Sequence, residues 1–286
     1  MKTILFIIAL SVLFATVSFS QNSWIRQLPD NGNPLKMIKT IDDKFALIAW
    51  GNAHYFYKYD EFGTLIWRKE IFSNCQINDF IQIDNGNYVI VGGIWVNDTA
   101  NVFIGILSEF GDSLFSTYRH YSYPSLFYNI AKVTSNELWC SGGGSDSTFI
   151  FKYTLEGNYI NRYFSDKIGQ WLYINQDTIF TAKNMWNGND YITTFCYLNS
   201  NLNLISEKQY RVFPEIIRRL DVNRNFLIQD AVYYSPVTGF DNNRGFVKLN
   251  INLDSVWSVP FSHIYGYGST CYTPSDLIVS NDNQYI

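Results

Sequence analysis

Short apolar runs separated by turn residues recur along most of the chain. The stretch from residue 81 to residue 115 shows this pattern most clearly, because it contains four such runs. The first two runs flank Asn85-Gly86, a pair that supplies the positive φ angles of a tight two-residue hairpin. We therefore predict a hairpin here, and we expect the rest of the chain to consist of imperfect copies of this stretch.

The same stretch predicts where its strands begin and end. Residues 88–91 are aromatic and β-branched, as strands are, and Gly92-Gly93 is expected to end that strand. After a loop, residues 102–107 form the next predicted strand, residues 108–111 turn the chain, and residues 114–118 return. The runs are almost continuously apolar rather than alternating, which favours strands that are buried on both faces between stacked sheets.

A turn after the third strand of each unit reveals an internal repeat. It recurs at intervals of 45 to 51 residues, and its last two copies are degenerate. The five copies end at Gly63, Gly111, Gly157, Leu202 and Leu253. A first hairpin recurs in each unit as well, so that the predicted units span residues 35–71, 77–121, 126–164, 170–210 and 215–261, and a sixth begins near Pro274. Four strands at this period predict a β-propeller blade, whereas a β-sandwich, the alternative, does not require so regular a repeat.

We therefore predict an all-β propeller of four-stranded blades, with five full blades and an incomplete sixth. Residues 24–28 resemble the fourth strand of the first unit but have no hairpin partner of their own. We expect this lone strand to close the ring at the edge of the final blade. The sixth unit stops within its second strand at Tyr285-Ile286, so we expect a fragment of a longer protein. A natural six-bladed protein is the alternative.

Two segments carry a family resemblance: residues 84–92 read D-N-G-N-Y-V-I-V-G, and residues 111–115 read G-D-S-L-F. In these segments the chain resembles the secreted propeller-repeat proteins of Gram-negative bacteria, whose units read D-G-G-Y-I-I-A-G, a loop, and then I-K-T-D-x-x-G-D-x-L-W. The resemblance covers nearly all of the chain after residue 20 and is loose in the fourth and fifth units. It implies the propeller fold and a location at the cell surface or outside the cell. Members often carry a C-terminal secretion-sorting tail, and a tail of this kind is not recognisable in this sequence.

The N-terminus predicts a signal peptide over residues 1–20. Met1-Lys2 is a short basic start, residues 4–15 are apolar, and residues 17–20 form a small-residue cleavage site before Gln21. The apolar run is short for a membrane-spanning helix, so we expect no transmembrane anchor. The mature β-propeller domain is then expected to cover residues 21–286 and to be secreted or held at the cell surface.

Composition narrows the classes of partner. The net charge is -4, and the Lys and Arg residues are scattered, so no basic patch for nucleic acid is predicted. Four cysteines are too few and too widely spaced for a disulfide scaffold. Cys140 and Cys196 lie in predicted strands and are expected to be buried free thiols, whereas a bridge between Cys75 and Cys271 stays open. No metal site is predicted, because the three histidines fall at unrelated positions of the repeat.

One further motif resembles, in outline, the repeat D-x-x-x-G-x-x-x-W of the quinone-dependent propeller dehydrogenases. It runs from Asp60 to Trp67, and only Trp67 and Trp257 keep its tryptophan. In those enzymes this Trp packs one blade against the next, so the resemblance implies a packing role. It supplies no quinone site, and no cofactor is predicted.

Aromatic residues and amides follow the second predicted strand in several units. A propeller places the loops that join second and third strands on one face, around its axis. Ring faces beside amides suit a polar ligand with apolar faces, such as a glycan or an extended peptide. The alternative is that these rings pack between the blades. The candidate ligand-binding residues are Trp50, Trp95, Asn97, Trp186, Asn187 and Tyr233.

The sequence therefore predicts a secreted or cell-surface module that binds or scaffolds a glycan, a peptide or a protein, and no catalytic residue is assigned. The alternative is a carbohydrate-active enzyme with carboxylates at the axial mouth of the propeller. Such carboxylates can come from distant blades, and then they leave no local motif. A pair of Asp or Glu side chains within about 5–10 Å of each other in a concave axial pocket would favour the enzyme.

Overall fold

The structure is a computed structural model in which part of the chain is described. The described residues are 28, 32–120, 125–144, 148–164, 171–175, 178–186, 191–199, 201–210, 212–213, 216–219, 226–229, 232–235, 239–240, 245–250 and 252–260. All regular elements in these residues are β-strands. The predicted lone strand, apart from Leu28, and the predicted sixth unit lie outside the described residues, as does Cys271.

Four consecutive strands form each of the first three sheets, and each strand is antiparallel to the next. We refer to these sheets as blades. Blade 1 contains β1 (Asn33–Lys39), β2 (Phe45–Trp50), β3 (His54–Tyr59) and β4 (Leu65–Glu70). Blade 2 contains β5 (Cys75–Gln82), β6 (Tyr88–Val96), β7 (Thr99–Leu107) and β8 (Ser113–Arg119). Blade 3 contains β9 (Ser125–Lys132), β10 (Glu137–Gly144), β11 (Thr148–Thr154) and β12 (Tyr159–Phe164).

The fourth and fifth sheets repeat this order, with an insertion in the fifth. Blade 4 contains β13 (Trp171–Asn175), β14 (Thr178–Trp186), β15 (Tyr191–Asn199) and β16 (Leu204–Tyr210). Blade 5 is formed by β18 (Ile216–Arg219), β19 (Phe226–Gln229), β22 (Gly245–Leu249) and β23 (Ser255–Pro260). A small separate sheet contains β17 (Val212–Phe213), β20 (Val232–Ser235) and β21 (Gly239–Phe240). The five predicted units are therefore confirmed as five four-stranded blades.

The turn between the third and fourth strands has the same geometry in all five blades. In blade 1, Asp60 Oδ1 accepts hydrogen bonds from the N–H groups of Phe62 and Thr64, and Gly63 N–H bonds back to the carbonyl of Asp60. Asn250 closes the last turn in the same way, although that copy is degenerate in sequence. The last residue of each turn has a positive φ, at Gly63, Gly111, Gly157, Leu202 and Leu253. The sequence repeat is thus a repeat of one hydrogen-bonded turn.

Consecutive blades pack face to face around a common centre. The first strands of neighbouring blades contact each other in the order β1, β5, β9, β13 and β18. One apolar cluster joins blade 1 to blade 2 through residues such as Phe56, Phe80 and Tyr88. Another joins blade 2 to blade 3 through residues such as Val91 and Phe127. Central strands are therefore covered on both faces, which confirms the prediction drawn from the continuous apolar runs.

The local prediction at Gly92-Gly93 is wrong, because β6 continues through both glycines to Val96. These glycines are required by close packing rather than by a turn. A Cβ on Gly92 would lie 1.9 Å from the carbonyl oxygen of Gln76 in β5, and a Cβ on Gly93 would lie 1.9 Å from the side chain of Leu126 in blade 3. A bulge in β5 brings that strand close to Gly92.

The predicted two-residue hairpin at Asn85-Gly86 is also wrong in detail. Only Gly86 has a positive φ (87°), and Ile83 and Asn87 close a longer loop by a backbone hydrogen bond. A two-residue turn with two positive φ angles occurs instead at Asn97-Asp98, where we predicted an open loop. Asn and Asp tolerate the left-handed region, so they can form this turn without glycine.

Aromatic side chains on outer strands cover the turn glycines of the next blade. A Cβ on Gly111 would lie 2.9 Å from the indole ring of Trp67, and a Cβ on Gly157 would lie 2.7 Å from the ring of Phe115. Lys69 also forms an ion pair with Asp112 beside the first of these contacts. The packing role implied for Trp67 is therefore confirmed.

A buried carboxylate ties the first three blades together. Asp79 in β5 accepts a hydrogen bond from Lys36 Nζ of blade 1 at 2.5 Å and another from Ile130 N–H of blade 3 at 2.9 Å. The Lys36 ammonium group also donates to the carbonyl oxygen of Phe80 at 2.9 Å. Since these hydrogen bonds join groups of blades 1, 2 and 3, the buried pair of Lys36 and Asp79 fixes the positions of the three blades relative to one another.

Candidate functional site

The strand order decides which turns share a side of the molecule. In an antiparallel blade, the turn between the second and third strands lies at the same edge as the end of the fourth strand. Trp50 is the last residue of β2, and Trp95 lies next to the end of β6. Both side chains are therefore at this edge, in neighbouring blades. They are 52% and 59% exposed, so neither ring is packed between the blades.

A cavity of about 550 Å³ lies between these two blades. We call it the tryptophan groove. Its lining residues come from the β2–β3 turn, the β4–β5 connection and the start of β5, and Leu35 and Trp95 complete it. They are Leu35, Trp50, Asn52, Ala53, His54, Ser73, Asn74, Cys75, Gln76, Ile77, Asn78 and Trp95. Its volume is in the range of cavities that bind small molecules.

The rim residues Ser73 and Asn74 are positioned by a strained turn. Phe72 has a φ of 43°, which is unusual for a bulky residue, and its carbonyl accepts a hydrogen bond from Cys75 N–H. The Phe72 ring packs edge-on against Phe103 and lies where a side chain on Gly105 would be. This anchoring offsets the backbone strain, which is of order 1–3 kcal/mol.

A β-bulge turns Asn78 into the groove wall. Asn78 is the unpaired residue between Ile77 and Asp79 in the ladder of β5 with β6. Its amide nitrogen donates to the carbonyl oxygen of Phe127 in blade 3 at 2.6 Å, and its oxygen accepts from Gln76 Nε2 at 3.1 Å. The two amides are thus held by the protein itself, and blade 3 fixes the orientation of the wall.

Buried His54 and Cys75 form the floor. His54 is only 7% exposed, and its Nε2 accepts a hydrogen bond from Ile77 N–H at 3.4 Å. This contact assigns the proton of the neutral ring to Nδ1. Burial lowers the pKa of His54 below its ordinary value, so the ring is neutral at pH 7. Burial raises the pKa of Cys75 to about 12, so this group is a thiol rather than a thiolate.

The groove combines apolar rings with uncharged polar groups. None of its lining residues is Asp, Glu, Lys or Arg. The neighbouring carboxylate, Asp79, is buried and occupied by Lys36 and Ile130. The lining can therefore donate and accept hydrogen bonds and stack against apolar faces, but it presents no pair of carboxylates and no thiolate nucleophile.

The remaining predicted residues are placed only in part. Asn97 is exposed in the turn beyond Trp95 and does not line the groove. Trp186 is the last residue of β14, the second strand of blade 4, as Trp50 is of blade 1, and Tyr233 lies in β20. The side chains of Trp186 and Tyr233 and the whole of Asn187 lie outside the described part of the structure.

The sequence does not predict the floor of the groove or the wall that Asn78 forms. In the sequence, the three histidines share no position in the repeat, and Cys75 stands out only as a possible partner of Cys271. Cys75, Cys140 and Cys196 are free and buried, which confirms the prediction for the last two. The signal that was available is the adjacency of His54 to Trp50 and Asn52 in a short turn.

A second cavity, of about 470 Å³, runs between β8 of blade 2 and the β11–β12 turn of blade 3. Arg119 stacks on the ring of Tyr159 there, with Cζ at 3.8 Å from the ring centroid. His120 Nδ1 lies 2.9 Å from Asn101 Oδ1. Its cation and its histidine already contact protein groups, so we assign no ligand to this cavity.

Comparison with known proteins supports the architecture and nothing finer. No protein-family model matches the chain, and no curated protein matches it. Among solved structures, the Dos1 propeller aligns with 92% of this chain and 78% of its own, at 9% identity and a TM-score of 0.51. The chain is a β-propeller. BBS1N, solved in complex with ARL6DN, aligns with 79% of this β-propeller and 66% of its own chain, at 11% identity and a TM-score of 0.50.

A protein of unknown function from Bacteroides caccae is also similar, at 11% identity and a TM-score of 0.49. The alignment covers 86% of the β-propeller described here and 87% of that chain. Within the described residues, no helix has the length and apolar character needed to cross a membrane. At these identities the likeness to solved structures concerns the fold alone.

Proposed function

We propose that this β-propeller is an exported binding module and that the tryptophan groove holds its ligand. Export would follow removal of residues 1–20, and the mature domain would act outside the cell or on its surface. The observation that carries the proposal is the exposure of Trp50 and Trp95, at 52% and 59%, in the lining of one cavity. Large exposed rings beside polar groups mark a binding surface more often than a packing surface.

A binding role explains the lining better than catalysis does. Glycoside cleavage needs two carboxyl groups on either side of the scissile bond. The lining residues of the two cavities described above include neither Asp nor Glu. His54 is held neutral by burial and by its contact with Ile77, and Cys75 is a protonated thiol. The carbohydrate-active enzyme is therefore the second candidate function, after the binding module.

Trp186, Asn187 and Tyr233 extend the proposal to other blades. Trp186 ends the second strand of blade 4, so the antiparallel order puts its backbone on the same side as Trp50. We propose that these residues, with Asn97, form further contacts for a ligand longer than the groove.

The test uses the mature protein, residues 21–286, on a glycan array and on an array of unmodified peptides. The double variant Trp50→Ala/Trp95→Ala should lose at least tenfold in affinity for whatever ligand the wild type binds. Ile66→Ala is the matched control, because Ile66 is exposed on the outer strand β4 and is not in the groove. Both variants should keep a melting temperature close to that of the wild type.

Three results would contradict the proposal. The first is a wild-type protein that binds nothing on either array. The second is a double variant that binds as well as the wild type. The third is a double variant that unfolds before it loses binding, as buried rings would require, since their truncation costs about 3–5 kcal/mol each.

A further inference from the structure

We propose that the ligand of the tryptophan groove is an uncharged saccharide and that His54 donates a hydrogen bond from Nδ1 to one of its hydroxyl groups. This inference rests on the proposed function, because it concerns the same groove. It adds the chemical class of the ligand and assigns a binding role to a residue that the sequence did not identify.

The first argument is the balance of polar groups in the lining. Asn52 and Asn74 each carry a donor and an acceptor, Ser73 adds a hydroxyl group, and Gln76 adds its Oε1 acceptor, whereas Gln76 Nε2 and the Asn78 amide already bond within the protein. Sugar hydroxyl groups also donate and accept, so they match this set. A charged ligand would lose its hydration without meeting an opposite charge, because the lining contains no ionised side chain.

The second argument is the geometry of the rings. Trp50 and Trp95 stand on neighbouring blades with the polar residues of the β4–β5 connection between them. A pyranose ring has an apolar C–H face and a polar edge, so it can stack on an indole face while its hydroxyl groups reach the amides.

His54 places a hydrogen-bond donor in the floor of the groove. His54 is only 7% exposed, and its Nε2 already accepts a hydrogen bond from Ile77 N–H. The proton therefore lies on Nδ1, which makes no hydrogen bond within the described residues but is not closed off from solvent, because the Tyr197 hydroxyl is the one buried side-chain polar atom without a partner there. A donor that solvent can reach gives its hydrogen bond to water or, when a ligand fills the groove, to the ligand. Since His54 lines the cavity, a ligand hydroxyl group is the acceptor we propose.

Two substitutions test the roles of the two ring nitrogens of His54 independently. His54→Gln keeps an acceptor near the position of Nε2, so the contact with Ile77 N–H can remain while the donor toward the groove is lost. His54→Asn keeps a donor near the position of Nδ1, so the contact with the ligand can remain while the one with Ile77 is lost. A purely structural histidine would not separate binding from stability in this way.

The experiment measures binding to the mature protein by tryptophan fluorescence and calorimetry. The probes are neutral tetra- to hexasaccharides of glucose, mannose, xylose and galactose, and an oligogalacturonide serves as the acidic counterpart. We expect one neutral series to bind, the acidic probe to bind at least tenfold more weakly, and Trp50→Ala or Trp95→Ala to weaken binding at least tenfold. His54→Gln should weaken it about tenfold at an almost unchanged melting temperature. His54→Asn should melt earlier and bind within about threefold of the wild type.

The outcomes distinguish this inference from the proposed function. If unmodified peptides bind instead, and Trp50→Ala with Trp95→Ala removes that binding, the saccharide is wrong and the binding module stands. If the acidic probe binds best, the argument from the uncharged lining is wrong. If His54→Gln binds as the wild type does, His54 is structural. If no probe or peptide binding depends on the two tryptophans, the inference and the proposed function both fall.

Discussion

The substitution Gly111→Ala tests how the blades are held together. Gly111 has a φ of 81°, and an added Cβ would lie 2.9 Å from two carbon atoms of the Trp67 indole in the preceding blade. Two costs therefore combine. The left-handed backbone costs an alanine about 1–2 kcal/mol, and overpacking against a rigid ring typically costs a further 1–3 kcal/mol. We expect a total loss of about 2–5 kcal/mol in the free energy of unfolding.

A matched control separates the two costs. Gly86 has a similar φ of 87°, but a Cβ there would meet only Glu109, at an ordinary distance of 3.5 Å. Gly86→Ala should therefore lose only the backbone component, about 1–2 kcal/mol. Both values are obtained from urea denaturation followed by fluorescence and far-ultraviolet circular dichroism.

A double-mutant cycle then assigns the remaining difference to Trp67. In a Trp67→Ala background the ring is absent, so Gly111→Ala should cost no more than Gly86→Ala does. The two single costs should exceed the double cost by about 1–3 kcal/mol. Equal costs for Gly111→Ala and Gly86→Ala in the wild type, or a cost of Gly111→Ala that is the same with and without Trp67, would refute the packing argument.

Two further predictions concern buried ionisable groups. Burial lowers the pKa of His54, so the unfolded chain takes up a proton at a higher pH than the folded chain does. The free energy of unfolding should therefore fall as the pH is lowered through about 6.5. A fall of the same size in His54→Gln would contradict this. Asp79→Ala leaves the Lys36 ammonium buried without its partner and should cost about 3–5 kcal/mol. The control Asp84→Ala removes an exposed pair with Lys132 and should cost at most about 1 kcal/mol, so equal losses would show that Asp79 is no stronger a link.

The architecture could be predicted because one local device is repeated. A side-chain oxygen three residues before the left-handed position closes the turn in all five blades, from Asp60 to Asn250. Such a turn is determined by residues next to one another in sequence, so it is visible there even when the strands around it vary. The wrong predictions concern contacts between segments that are distant in sequence. The sequence predicts that Gly92 ends a strand, whereas the structure requires glycine there because Gln76 on another strand approaches closely, and the local sequence does not show that approach.

The groove was predictable only where one segment determines it. Trp50 and Trp95 end second strands, so the repeat alone places them on one face. The floor depends on relations between segments: His54 reaches Ile77 across the blade boundary, and Asn78 enters the wall because a bulge displaces it. Bulges and contacts between blades have no periodic signature, and for that reason the histidine and the amides were not identified.

In the degenerate fourth and fifth units, the same turn packs against the preceding blade, but different side chains make the contact. Trp67 and Phe115 lie over the turn glycines of the next blades, but the register places Asn161 and Ser206 at the corresponding positions of blades 3 and 4. In the blades that follow these two polar residues, the left-handed position is not glycine.

The residue in the left-handed position is Leu202 in blade 4 and Leu253 in blade 5, each with a φ of 64°. Leu253 is 1% exposed, and Leu202 packs on the cluster that joins blade 3 to blade 4. We infer that these leucines fill from the turn the space that an aromatic ring fills from the preceding blade elsewhere. The burial offsets the strain of a left-handed leucine, because a buried leucine contributes about 1.5–3 kcal/mol and the strain costs about 1–2 kcal/mol. The repeat therefore looks weak in these units because two positions changed together, while the contact between the blades was kept.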